Sequence, residues 1–308
     1  MDEIQTATTG VQTATAGHQF SKNQSTAVQA LAAITGAAAG GAALLGLIGT
    51  AHPASFTTVR GAAVDLFGAG IYQYDSLFSG AGNRGTDVVT LLVALPLLVT
   101  SVLGCRRGSL RWQLVLTGAL TYFLYVSISM AVGAVFNPVF LVYVTAFAAS
   151  LWGFVLSVGG IDRNRLAGVV RLLPRRAPAA LMIISGAVTT VIWVGPVLSA
   201  QFQGTVPDRL NHYTTLVTVA IDCAVIAPAA IASGVLILRG RPWGYLMTVP
   251  LLILLALLAP LIAAQTISQL RAGVILTPGQ IVGPVSGFVI LAVAAVAVLW
   301  SLLRRIPK

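Results

Sequence analysis

Eight separated blocks of about twenty apolar residues constrain this chain more than any other feature, because a block of that length, about 20 residues, spans the hydrocarbon core of a bilayer as a helix. They fall near residues 27–50, 88–105, 112–133, 138–158, 179–200, 214–238, 244–264 and 284–303. Hydrocarbon offers no water to satisfy peptide groups, so each block must close its own hydrogen bonds as a helix. The chain is expected to be an all-α, polytopic transmembrane helix bundle of about eight spans. Its composition agrees: 57% of the 308 residues are hydrophobic and 8% charged, whereas a water-facing surface takes about 25% charged residues.

The net charge of +10 argues for topology, not for nucleic acid, because the basic residues sit in the short connectors between apolar blocks. With the N-terminus inside, the cytoplasmic connectors receive Lys22, Arg106, Arg107, Arg111, Arg163, Arg165, Arg171, Arg175, Arg176, Arg239, Arg241, Arg304, Arg305 and Lys308. The opposite side receives Arg60, Arg84, Arg209 and Arg271, a split of 14 to 4. Both termini are therefore expected in the cytoplasm, with the chain in a plasma membrane or bacterial inner membrane. The lipid bilayer is the first partner, acidic headgroups being the counter-charge of the inner connectors; a membrane-protein partner or a homo-oligomer is the other possibility.

Residues 1–27 are rich in Thr, Gln, Ala and Ser without apolar periodicity, and are read as a disordered cytoplasmic tail. A first membrane half (28–158, with an outer interfacial segment at 55–86), a basic linker (159–178) and a second half (179–308) follow. The halves echo each other. Leu31-x-x-Ile34-Thr35-Gly36-Ala37 matches Leu181-x-x-Ile184-Ser185-Gly186-Ala187; Pro96 and Pro228 each stand eleven residues before Arg107-Gly108 and Arg239-Gly240; Trp112 and Trp243 open the third and seventh spans, Pro138 and Pro284 the fourth and eighth. An even number of spans per half makes these two parallel four-helix repeats, with a cavity expected between them. Recurrence of Pro, Gly and Arg-Gly in membrane helices is the competing explanation.

Asp222 is the one acid well inside an apolar block. A charged carboxylate there costs about 2.5–3.5 kcal/mol on insertion scales, so it faces the bundle interior, where it serves a proton or cation relay or acts as packing glue. Pro96 and Pro228 remove one helical hydrogen bond each and are candidate hinges at matching places. Tyr122, Tyr125 and Ser129 are spaced to share one face of the third span and could line a polar path to Asp222 or bridge helices. On the outer connector, Val64, Phe67, Ile71, Tyr74 and Phe78 fall on one helical stripe, which suggests an interfacial helix leaving Asp65 and Asp75 open to a ligand. Asp75 and Asp87 are candidate acidic partners at that face.

Several classes of activity lack their residues. The three histidines lie outside the apolar blocks, the two cysteines belong to different blocks, and no phosphate-binding loop, dinucleotide fingerprint or zinc-binding helix is present; neither a metal nor a cofactor is indicated. Ile71-Tyr-Gln-Tyr-Asp75-Ser and Phe136-Asn-Pro-Val-Phe-Leu-Val-Tyr143 resemble stretches of uncharacterised bacterial multi-pass membrane proteins, over residues 60–160. That resemblance implies no activity and no catalytic residue. Three functions remain open: a small-solute or lipid transporter or permease-like subunit; a membrane-embedded enzyme or accessory factor acting on lipid-linked substrates at the outer face; and a non-catalytic assembly or partner-binding protein.

Overall fold

The computed structural model describes residues 22–306, so most of the expected tail, residues 1–21, lies outside the described residues. Among the described residues eight helices are long and apolar enough to cross a membrane, and the chain is a multi-pass integral membrane protein with a helical bundle fold. The first span is α1 (Lys22–Gly46). The second is interrupted: α2 (Leu77–Val89), a five-residue π turn (Thr90–Ala94) and α3 (Leu95–Cys105). The third and fourth are α4 (Leu110–Gly133) and α5 (Phe140–Gly159). A short helix, α6 (Arg163–Val170), lies in the basic linker and is N-capped by the Asp162 carboxylate, which accepts from the Asn164 and Arg165 N–H groups. The fifth span is α7 (Arg176–Phe202). The sixth repeats the interruption with α8 (Val217–Ile221), a π turn (Asp222–Ile226) and α9 (Ala227–Leu238). α10 (Pro242–Arg271) and α11 (Pro278–Leu303) complete the set.

α4 and α10 form the middle of the bundle, since they bury far more of their surface than the other spans. α10 packs on α2, α4, α9 and α11, and α4 packs on α3, α5 and α10. Small residues set the closest approaches, as van der Waals packing between membrane helices requires. A Cβ on Gly118 would overlap the Ile253 side chain, and one on Gly85 would fall 2.5 Å from the Ala264 carbonyl carbon. Where a cavity was expected between the halves, α4 and α10 pack directly on one another, with Gly118 against Ile253.

The connectors gather at the two ends of the bundle in alternation. At one end Arg111 reaches the Ile306 carbonyl at 2.8 Å, Arg305 the Leu172 carbonyl at 2.9 Å, and Tyr245 the Pro174 carbonyl at 3.0 Å. At the other, Arg60 donates to the Asn211 and Tyr213 carbonyls at 2.7 and 3.2 Å, and Gln269 to the Phe78 carbonyl at 3.1 Å. The first of these ends is the arginine-rich one.

Three local expectations are corrected. The stripe from Val64 to Phe78 is not one helix: it starts in β2 (Ala63–Leu66), which pairs antiparallel with β1 (Ala54–Thr57), passes through a single 3-10 turn at Gly70–Tyr72, and ends in the first turn of α2. Gly61, Gly68 and Gly70 all adopt positive φ, at 78°, 75° and 59°, which breaks a helix and suits turns. The second span begins at Leu77, not near 88, because its polar groups are satisfied: Ser76 caps the helix and Arg84 bonds the Gly49 and Leu47 carbonyls at 2.7 and 3.0 Å. Pro284 lies inside α11 and does not open it; Thr277 and Gln280 form the capping box, with Pro278 at the first turn, the position where a missing N–H costs nothing.

Candidate functional site

Two polar clusters interrupt the apolar packing. The inner one centres on the π turns. Pro96 and Pro228 have no N–H to return to Leu92 and Ala224, the carbonyls four residues earlier, so an α-helical register cannot be completed there. The chain widens instead: the Leu95 N–H bonds the Thr90 carbonyl and the Ala227 N–H bonds the Asp222 carbonyl, each a five-residue step. Such wide turns recur at functional sites.

The first residue of each wide turn faces a tyrosine of α4. The Tyr122 hydroxyl pairs with Thr90 at 3.1 Å, both groups buried. One turn along, the Tyr125 hydroxyl engages the Asp222 carboxyl. Asp222 also accepts from the Trp193 Nε1–H at 2.7 Å, and the Arg209 guanidinium stands over the Trp193 ring at 5.3 Å. Asp222 is thus a buried, hydrogen-bonded acid, linked through Trp193 to the connector after α7. The three hydroxyls of α4 do not form one path toward it. Tyr122 turns to the second span, Tyr125 to the sixth, and Ser129 bonds back to the Tyr125 carbonyl at 2.8 Å.

The outer cluster lies beneath the hairpin. Asp75 is 1% exposed; its Oδ1 accepts from the Val135 N–H at 3.0 Å and from the Tyr213 hydroxyl at 2.8 Å, while Oδ2 is buried without a hydrogen-bond partner. One carboxyl thereby ties three connectors together. Burial pushes the Asp75 carboxyl up to about 6, opposed by those two hydrogen bonds. His212 donates from Nε2 to the Tyr74 carbonyl at 3.0 Å and stacks on Tyr213; burial holds its imidazole below the usual range. Asp87, also buried, accepts from the Tyr72 hydroxyl at 2.8 Å, and Tyr72 is raised first by burial and then by the Asp87 charge.

Asp75 and Asp87 therefore have separate partners and do not pair with each other, and neither is open to a ligand as expected. Asp65 alone of the three outer acids is exposed, bonded to Ser55 across the hairpin. It borders a shallow cavity of about 290 Å³ between Ala63–Asp65, Ser76–Phe78, Asn211 and Gly273–Ile275. Among the described residues no three His, Cys, Asp or Glu side chains converge, and Cys105 and Cys223 are free thiols.

Trp193, Thr90 and Tyr213 are site residues that sequence reasoning missed, and Tyr72, expected to offer its polar edge to a ligand, is buried on Asp87 instead. Thr90 was within reach: it stands six residues before Pro96, as Asp222 stands six before Pro228. Tyr213 carries no such signal, since its role depends on two connectors meeting. The chain matches no protein-family model, no curated protein and no solved structure.

Proposed function

We propose that this protein transports a small solute or a lipid as a permease-like unit, made of two four-helix halves of like orientation with both termini on the cytoplasmic side of the cell membrane. The observation that carries this reading is the pair of π turns. Each sits just before a proline in the second span of its half, and each begins at a residue that faces a tyrosine of α4. Interrupted helices at corresponding positions of two repeats are the pattern expected of a transport site.

Other pairs support the duplication. Ser101 and Ser233, both fully buried, bond the carbonyls of Leu98 and Ala230. Gly108 and Gly240 turn the chain with φ of 69° and 67°. Gly36 packs on Leu95 and Gly186 on Ala227, each the residue before the proline of its interrupted span. The halves differ in closure: α1 lies along α5, whereas α7 and α11 meet over a short stretch only. The second half is the looser one.

In this reading the π turns are the moving parts. Passing the extra residue out of the Asp222–Ile226 turn rotates the preceding segment by roughly 100°, taking Asp222 out of reach of Trp193. A carboxyl that loses hydrogen-bond donors favours its protonated form, which couples movement to proton uptake. An enzyme acting through Asp75 and Asp87 fits less well, because both carboxyls are sealed beneath the hairpin.

The test is flux across vesicles carrying the purified protein, with an imposed pH gradient, for wild type and Asp222→Asn. Asparagine keeps an acceptor for Trp193 and removes the titrating proton. Loss of proton-coupled flux in a folded variant supports the reading; wild-type flux removes Asp222 from the mechanism.

A further inference from the structure

We propose that the arginine-rich end of the bundle holds an anionic phospholipid in a defined seat, where the α6–α7 linker, the turn after α9 and the end of α11 meet. The inference is independent of the transport reading. Two contacts build the seat. Arg305 donates to the Leu172 carbonyl at 2.9 Å, which brings the end of α11 beside Arg171. Gly240 turns at positive φ, and a Cβ placed there would lie 3.5 Å from the Arg175 guanidinium nitrogens, so Arg175 lies on the turn between Arg239 and Arg241.

These side chains are exposed, and none has a carboxylate partner among the described residues. The nearest acid in sequence, Asp162, spends its carboxylate on the N-terminus of α6. Several unneutralised guanidinium groups gathered at the rim of a low-dielectric slab repel one another, and the counter-charge has to come from outside the chain. The fork of an arginine matches two oxygens of a phosphate. Apolar side chains surround the cluster as acyl chains require: Leu172 is 65% exposed, Leu238 54% and Trp300 69%. Trp243, with Arg163 stacked 4.5 Å from its ring, stands at the same level, where indoles anchor to headgroups. Charge and apolar flank together fit a lipid, not a free phosphate.

The first half supplies an internal comparison. Its equivalent turn, Arg107-Gly108, has the same positive φ, yet a Cβ on Gly108 would meet nothing within 4 Å. Arg106 there bonds Gln29 at 3.4 Å, and Arg111 of the same connector is taken up by the Ile306 carbonyl at 2.8 Å. A general preference for positive charge at this end treats both turns alike; a seat does not.

The full-length protein in mild detergent is titrated with phosphatidylglycerol, with phosphatidylcholine and with inorganic phosphate, following thermal stability and bound lipid by native mass spectrometry. The expected result is saturable stabilisation by phosphatidylglycerol alone. Arg175→Gln with Arg305→Gln weakens it by about tenfold or more, roughly the loss of one strong phosphate contact, while Arg106→Gln with Arg107→Gln leaves it within about twofold. Arg175→Lys with Arg305→Lys keeps the charge and serves where the glutamine pair folds poorly; it loses part of the affinity because the fork is gone. Equal losses from both pairs of variants, equal stabilisation by phosphatidylcholine, or reproduction of the effect by inorganic phosphate overturns the proposal.

Discussion

Thr90 and Asp222 occupy the same place in their spans: each is the first residue of a π turn, six residues before a proline, with its side chain facing one of two tyrosines a helical turn apart on α4. One central helix thus grips both interruptions, through a neutral hydroxyl in one half and a carboxyl in the other. The difference between the two grips is where the halves part in chemistry.

Removing the Trp193 donor tests the Asp222 grip. Trp193→Phe leaves a buried carboxyl short of one charge-assisted hydrogen bond, with an expected loss of about 1.5–3 kcal/mol. Thermal unfolding in detergent measures it. Trp193→Phe combined with Asp222→Leu is expected to recover part of the loss, because no buried acid is left under-satisfied.

Asp75 gives stability a pH dependence of definite sign. Its carboxyl is raised from 3.8 to about 6 in the folded chain, so the folded state holds its proton over a range where the unfolded state has lost it. Stability then rises as pH falls from about 6 toward 4, and is lost as pH climbs through 6. The full effect is at most about 3 kcal/mol. Asp75→Asn keeps an acceptor for Val135 and Tyr213, and is expected to flatten the melting temperature across this range. An unchanged pH profile in Asp75→Asn excludes the assignment.

Glycine substitutions separate close packing from helix propensity. Gly85→Ala places a methyl group 2.5 Å from the Ala264 carbonyl and forces α2 and α10 apart, costing about 1–3 kcal/mol. Gly41→Ala meets nothing within 4 Å and is expected to stabilise its helix by up to about 1 kcal/mol. Gly46→Ala overlaps the Asp87 carboxylate and comes 2.8 Å from the Tyr72 hydroxyl, so its cost is expected to shrink in an Asp87→Ala background. A double-mutant cycle measures that coupling.

Sidedness is checked by labelling single cysteines placed at Gly168 and Gly204 in a protein freed of its native thiols. The connectors carrying them gather at opposite ends of the bundle, and each is expected to react from one face of the membrane only. Reaction of both from the same face contradicts the spans.

The architecture was legible because it depends on one strong requirement, helices where water is absent, and that requirement writes itself as apolar length. The matched prolines were legible too, since a residue without an N–H has local consequences wherever it stands. What misled was periodicity at the outer connector: Val64, Phe67 and Ile71 keep helical spacing, yet Gly68 lies so close to the His52 carbonyl that no side chain fits, and the segment is a strand followed by a 3-10 turn. The start of the second span was hidden by Arg84 and Asp87, polar residues that read as loop until their partners, the Gly49 carbonyl and Tyr72, are in place. Partnerships such as Asp75 with Tyr213 join residues 138 positions apart and leave no pattern in either neighbourhood.

Cys223, the residue after Asp222 in the second π turn, reports most directly on whether the paired interruptions move. With Cys105 replaced by Ser, Cys223 is the remaining native thiol, and its reaction with a membrane-impermeant maleimide in sealed vesicles measures how often the turn meets water. The account predicts measurable labelling that falls by about tenfold or more when Pro96→Ala and Pro228→Ala together restore continuous helices, a change of about 1.4 kcal/mol in opening. Labelling that is absent in the parent protein, or unchanged in the proline variant, contradicts it.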